Sequence, residues 1–300
     1  MKRILAIFPF IAILCLATAT AQTVNYSYDA AGRLTRADYG DAGAIAYTYD
    51  PAGNLLQREV TRGAAGAFAT ISAASFAVNQ ALAPELIVSG FGADLASGVL
   101  APTSTPLPTE LLGTSVAVRD SAGTTRLASL FFVSAGQINY LIPAGTALGE
   151  ATITVTSGTG SVSVGTVQIE RVAPALFTAN QQGTGVAAAF FLRIAADGTR
   201  TQEIIFDGNL APVSISLGPE GEQVFLLLFG TGVRGFENPV TVTVGEEAVG
   251  VLGAVPAPGF VGLDQVNIGP LPRTLIGRGE VEIIVTADGK DANTVTVAVQ

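Results

Sequence analysis

The 300-residue sequence contains no histidine and no tryptophan, and holds one cysteine and one methionine. Without an imidazole, no Ser-His-Asp or Cys-His arrangement can form, because such a nucleophile needs an adjacent base of suitable pKa. Cys15 and Met1 both fall within the first 21 residues. A chain trimmed there has no thiol for disulfide or nucleophilic chemistry, and zinc loses both of its preferred soft and borderline ligands. Charge is scarce too: Asp, Glu, Lys and Arg make up 13% of the residues. Removing residues 1–21 takes Lys2 and Arg3 with them, moves the formal net charge from −9 to −11, and leaves Lys290 as the sole lysine. Such a chain repels phosphate backbones, so nucleic acid is not expected as a partner. No second long apolar run follows the N-terminal one, so no membrane span is expected in the mature chain.

What is present begins with an export pattern. Met1-Lys2-Arg3 is followed by an apolar stretch from Ile4 to Leu16 and by Ala19-Thr20-Ala21 before Gln22, the tripartite form of a secretory signal. Residues 1–21 are expected to be cleaved, giving a periplasmic, cell-surface or extracellular protein. Leu14 before Cys15 argues against lipidation. The whole chain is 49% hydrophobic, with 35 glycines, 15 prolines and a mean hydropathy of +0.49. That combination describes short buried strands joined by tight turns and excludes extensive disorder and helical bundles.

Two repeats organise the chain. YSYDAAGRLT at 26–35 recurs as YTYDPAGNLL at 47–56, a shift of 21 positions, and five of the six tyrosines lie between 26 and 49. Tyrosines at alternate positions predict strands, Asp-x-x-Gly predicts a turn with a left-handed glycine, and each unit is read as half of a hairpin. These units resemble RHS or YD repeats, with Asn54 in place of the pattern's arginine. In that family long arrays build β-sheet shells of secreted and surface proteins, often in contact with carbohydrate; two units cannot close a shell. The segment is assigned to 22–62, with a linker over 63–71 around Gly63-Ala64-Ala65-Gly66.

A longer duplication follows. Gln137-Ile-Asn139, Pro143 and Gly149 match Gln265-Val-Asn267, Pro272 and Gly279, while ELIVSGFGADLA at 85–96 parallels QVFLLLFGTGVRG at 223–235. TSVAVRD at 114–120 likewise parallels VTVTVGE at 240–246. Alternating runs such as Thr152–Thr156 and Asp-Gly turns at 197, 207 and 288 complete the signature of sandwiches. The expected fold is all-β: two tandem immunoglobulin-like β-sandwiches, 72–170 and 171–300, behind the YD segment. On LFFVSAGQINYLIPAGT at 130–146, VAPALFTAN at 172–180 and LPRTLIGRGEV at 271–281, residues 72–300 resemble an uncharacterised C-terminal domain family of secreted acidobacterial (Solibacter-type) proteins. The strand leading into Phe91-Gly92 is also similar to the opening of IPT/TIG immunoglobulin-like domains, which implies structural or adhesive roles. Neither resemblance implies an activity.

Few constellations offer chemistry. Gly230-Thr-Gly232-Val-Arg-Gly235 spells G-x-G-x-x-G, but turn and strand residues follow it where a phosphate cradle needs a helix. Lys290 lies in an expected exposed hairpin turn. Glu220, Glu222, Glu246 and Glu247 are the carboxylates a glycosidase would have to use, and Asp288, Asp291 and Asn293, or Asp38 and Asp41, the oxygen ligands for a weak calcium site. The duplicated Gln137/Asn139 and Gln265/Asn267 pairs are read as amides that satisfy backbone groups. No catalytic residue, cofactor or metal is assigned. Tyr26, Tyr28, Tyr47 and Tyr49 are the candidate ligand contacts, since exposed aromatics on a sheet stack on sugars or on a partner. The function expected is a secreted, non-enzymatic structural, adhesive or binding module whose partner is carbohydrate or a cell-envelope protein; the alternative is a carboxylate-dependent polysaccharide hydrolase. The sequence leaves the oligomeric state open.

Overall fold

The computed structural model describes residues 24–39, 43–62 and 65–300. The expected signal, with Cys15, and the candidate ligand Asp41 lie outside the described residues. Those described are all-β, with no α-helix among them. Strands Asn25–Tyr28, Leu34–Asp38, Gly43–Tyr49 and Leu55–Arg62 form an antiparallel meander in chain order. Each YD unit is a complete hairpin and not half of one, because its Asp-x-x-Gly turn joins two strands of the same unit.

The first sandwich packs two sheets. One runs in the order Thr125–Leu127, Thr114–Arg119, Gly149–Thr156, Val162–Ile169, Gly66–Ala67, and the other Leu130–Val133, Gln137–Leu141, Ile87–Phe91, Ala69–Ser72. Period-two alternation makes this inevitable: Val116, Val118, Ile153 and Val155 bury one face against Val88, Ile138 and Tyr140, and their neighbours point outward. The second sandwich repeats the plan. Its sheets run Arg200–Ile204, Ala189–Ile194, Gln223–Thr231, Asp264–Ile268, Val251–Pro256, and Glu247–Val249, Thr241–Val244, Gly279–Ala287, Lys290–Asp291, with Val295–Val299 also paired to Gly279–Ala287. The duplication holds at the level of register, since Gln137 sits opposite Phe91 and Gln265 opposite Phe229.

The linker expected over 63–71 is corrected from residue 66 onward. Gly66–Ala67 pairs in parallel with Ser163–Val164, and Ala69–Ser72 pairs antiparallel with Val88–Phe91. Between them Phe68 turns inward, its ring over Gly90 and its carbonyl over Gly165; a Cβ at Gly165 would lie 1.9 Å from that oxygen. Only a residue without a side chain lets the two backbones approach so closely. Gly165→Ala is therefore expected to cost about 1–3 kcal/mol, the range of overpacking. Chemical denaturation should register the loss, and unchanged stability would show that the Gly66–Ser72 segment does not need this contact.

The two sandwiches meet across polar and apolar contacts. The Ile87 N–H donates to Thr231 Oγ1 at 3.0 Å, and that hydroxyl donates to the Gly262 carbonyl at 2.8 Å. Arg234, in the glycine-rich turn, donates through Nε to Asp264 at 2.7 Å and through a terminal nitrogen to Glu85 at 3.2 Å. Ala73, Ala74, Phe177, Ala257 and Leu263 form an apolar cluster against which Ile87 packs. The G-x-G-x-x-G run thus ends a strand in a turn held by Asp264, whose Oδ2 accepts the Val233 N–H at 2.8 Å.

Candidate functional site

The two YD hairpins are built by the same bonds. Asp29 and Gly32 close the first turn by N–H donation to Arg33 and Asp29 carbonyls at 2.9 and 3.0 Å, and Asp50 and Gly53 close the second at 2.9 and 3.0 Å. Asp29 Oδ1 accepts the Ala31 and Arg33 N–H groups, both at 2.9 Å, and Asp50 Oδ1 accepts that of Asn54 at 2.8 Å. The glycines stand at φ +77° and +94°, which a side chain would resist. Asn54 replaces the pattern's arginine without losing its bond: Arg33 Nε reaches Asp29 at 2.7 Å and Asn54 Nδ2 reaches Asp50 at 2.9 Å. Arg33 also locks the units together, its guanidinium 4.9 Å from the Tyr49 ring centre and donating to the Asp50 carbonyl, while Tyr49 Oη donates to the Leu34 carbonyl at 2.9 Å.

These bonds stabilise the ionised carboxylates. The Arg33 N–H holds Asp29, and the Asn54 side chain and N–H hold Asp50, below the ordinary aspartate value of 3.8. A depressed native pKa gives stability that is complete above the unfolded value and is lost as pH falls through the native one. The YD sheet is therefore expected to hold at neutral pH and to loosen below pH 3.8. Tyrosine near-ultraviolet dichroism followed from pH 7 to pH 2 tests this, and a signal unaffected by acid would contradict it.

The register places the four tyrosines on one face. Tyr26 sits opposite Ala37, and Ala37 opposite Ile45, so Tyr28 follows Tyr26 and Tyr47 and Tyr49 follow Ile45 on that side. Ala37 is buried between the two aromatic strands, which two inter-strand spacings put about 10 Å apart. Tyr26 and Tyr28 are 56% and 61% exposed. Tyr47 and Tyr49 are half-buried, Tyr49 through its contacts to Leu34 and Arg33.

Residues 28–66 match the RHS repeat family model. The RHS match spans both hairpins and ends where the first sandwich begins, a small part of the chain. No curated protein matches. Among solved structures, that of the Bacteroides ovatus mixed-linkage glucan utilization locus SGBP-B in complex with mixed-linkage heptasaccharide is similar at 10% identity, over 86% of this chain and 52% of that one, with a TM-score of 0.32. The chain spans about half the length of that protein.

The structure disperses the other candidates. Glu222 pairs with Arg193 at 2.8 Å and Glu247 with Arg278 at 3.6 Å. Asp288 caps the Glu237 and Asn238 N–H groups, Asp291 accepts from Thr286 Oγ1, and Asn293 bonds both the N–H and the carbonyl of Leu176. Asp38 lies apart from these, beside Arg36 at 2.9 Å. Lys290 is not simply a solvated turn residue: its ammonium pairs with Glu170 and donates to the Val172 carbonyl at 3.0 Å. The amide pairs are also corrected, since each bonds within itself and not to backbone: Gln137 Nε2 donates to Asn139 Oδ1 at 2.8 Å and Gln265 Nε2 to Asn267 Oδ1 at 2.7 Å.

A feature the sequence reading missed is a cleft of about 300 Å³ between the sandwiches, lined by Ile87, Leu107 and Phe132 on one side and Phe177, Phe260 and Leu263 on the other. Its signal was available in the duplication. Residues 97–113, between the matched blocks of the first copy, have only 236–239 as counterpart in the second. Pro102, Thr105 and Leu107 from that insertion form one wall.

Proposed function

We propose that this protein is an exported, non-enzymatic binding module in which two sandwiches carry a tyrosine-faced YD sheet that contacts carbohydrate. The observation that supports it is the exposure of the Tyr26 and Tyr28 rings, which flank the buried Ala37 with Tyr47 and Tyr49 across from them. Aromatic rings exposed on a sheet face offer apolar area that a partner gains by covering. Ala37 keeps the floor between them low, so a sugar ring can stack its apolar face on a tyrosine while its hydroxyls stay in water.

The test is a binding screen of the secreted protein against polysaccharides and isolated cell envelope, repeated with Tyr26→Ala and Tyr28→Ala combined. Each lost stacking contact is worth about 1 kcal/mol, so the double variant is expected to bind roughly tenfold or more weakly. Binding that survives both changes removes the tyrosines as the contact. Capture of an envelope protein in place of a glycan keeps the face and changes the partner.

A further inference from the structure

We infer that the cleft between the sandwiches is a binding site for a small neutral molecule, an apolar body with one hydrogen-bond acceptor, held by the Asn139 side-chain amide. Asn139 lines the cleft and is 3% exposed. Its Oδ1 accepts from Gln137 Nε2 at 2.8 Å, while its Nδ2 makes no hydrogen bond to the protein and is not among the buried unpartnered atoms. An amide N–H in a cavity wall that no protein acceptor takes is open to an acceptor on a bound molecule.

Ser89, behind the cleft wall and not among its lining residues, distinguishes the two copies. It stands opposite Asn139 in the sheet register, it is fully buried, and its Oγ has no hydrogen-bond partner. In the second copy the residue opposite Asn267 is Leu227. The amide pair alone is thus a shared structural device. At the cleft the first copy adds to it the 97–113 insertion and the covering loop of the second sandwich. That loop closes through Gly262, at φ +74°, where a Cβ would fall 2.5 Å from Leu141 Cδ1 and 2.6 Å from Ile87 Cγ1.

The lining fixes the ligand class. None of its residues is charged, and four are phenylalanines, at positions 131, 132, 177 and 260. An ion entering would forfeit its hydration with nothing to replace it. The volume of about 300 Å³ lies at the small end of ligand pockets. A neutral aromatic or alkyl ketone, ester or amide satisfies these conditions, with its carbonyl on Asn139 and its body among the rings.

Prodan, a neutral naphthyl ketone whose emission shifts to the blue in apolar surroundings, serves as the probe on the secreted protein. Saturable one-to-one binding with blue-shifted emission is expected. Leu107→Trp and Val261→Trp fill the cleft from opposite walls, so that either can stand in should the other fail to fold, and the folded variant is expected to abolish saturation. Asn139→Leu, which keeps the volume and removes the donor, is expected to weaken binding roughly tenfold, the scale of one hydrogen bond. Non-saturable binding, or saturation that survives a folded cleft-filling variant, overturns the site; undiminished affinity in Asn139→Leu overturns the role given to the amide.

Discussion

Replacing Arg234 by methionine is expected to lower stability by about 3–5 kcal/mol, the cost of leaving a buried charge without its partner. The Asp264 side chain is 1% exposed and Arg234 lies 2.7 Å from it. Burial pushes the Asp264 carboxyl above the ordinary value, while Arg234 and the N–H groups of the glycine-rich turn pull it back. Methionine keeps most of the packing and removes the only side-chain cation bonded to Asp264 among the described residues. The sign of the pH dependence distinguishes this cause from a simple packing loss. A carboxyl that binds its proton more tightly in the folded state contributes stability that is present at low pH and lost as pH rises. The deficit of Arg234→Met is therefore expected to be largest at neutral pH and to shrink on acidification. Combining it with Asp264→Asn should recover part of the loss, and strict additivity in that double-variant cycle would show that the two residues do not act as a pair. Because Arg234 also reaches Glu85, the urea transition should broaden or split as the sandwiches uncouple.

Tyr140→Ala should cost about 3–5 kcal/mol, the usual price of deleting a fully buried aromatic ring. The ring is fully buried, stacks on Phe68 with centres 6.4 Å apart, and places its hydroxyl 2.8 Å from Thr70 Oγ1. It therefore touches both the core and the segment that closes the first sandwich. Tyr140→Phe retains the ring and drops the hydroxyl, and is expected to cost about 1 kcal/mol. Burial also pushes the Tyr140 hydroxyl well above its ordinary pKa, so it donates or accepts as a neutral group throughout the working range. Urea denaturation of the two variants separates the terms. Equal losses would mean that the hydroxyl and not the ring carries the site.

The parts of this molecule legible in sequence are those written in local periodicity. Tyr-x-Tyr-Asp-x-x-Gly specifies strand and turn through residues that contact one another within five positions, and the alternating valines of both sandwiches specify their buried faces. The order of matched blocks also exposed the duplication. What escaped lies in contacts between distant positions. Gly66–Ala67 has no β-branched residue and reads as linker, yet it becomes a strand because Gly165 leaves room for the Phe68 carbonyl. Lys290 finds Glu170, and Arg234 finds Glu85, across the joint between domains. Gln137 and Asn139 were singled out by their recurrence, but their mutual bond follows from alternate positions on one strand face, and the open Nδ2 follows from a cleft that exists only once the second sandwich is in place.

The closing segment of the first sandwich has a mechanical consequence. Gly66–Ala67 runs parallel to Ser163–Val164, and Ala69–Ser72 runs antiparallel to Val88–Phe91. If the tyrosine face binds as proposed, a load on it would pass along the chain into this stretch and be divided between both sheets, with Phe68 seated as a plug at the point of division. Tension from such a contact would thereby be spread across the body of the first sandwich, with the joint that encloses the cleft beyond the first point of strain.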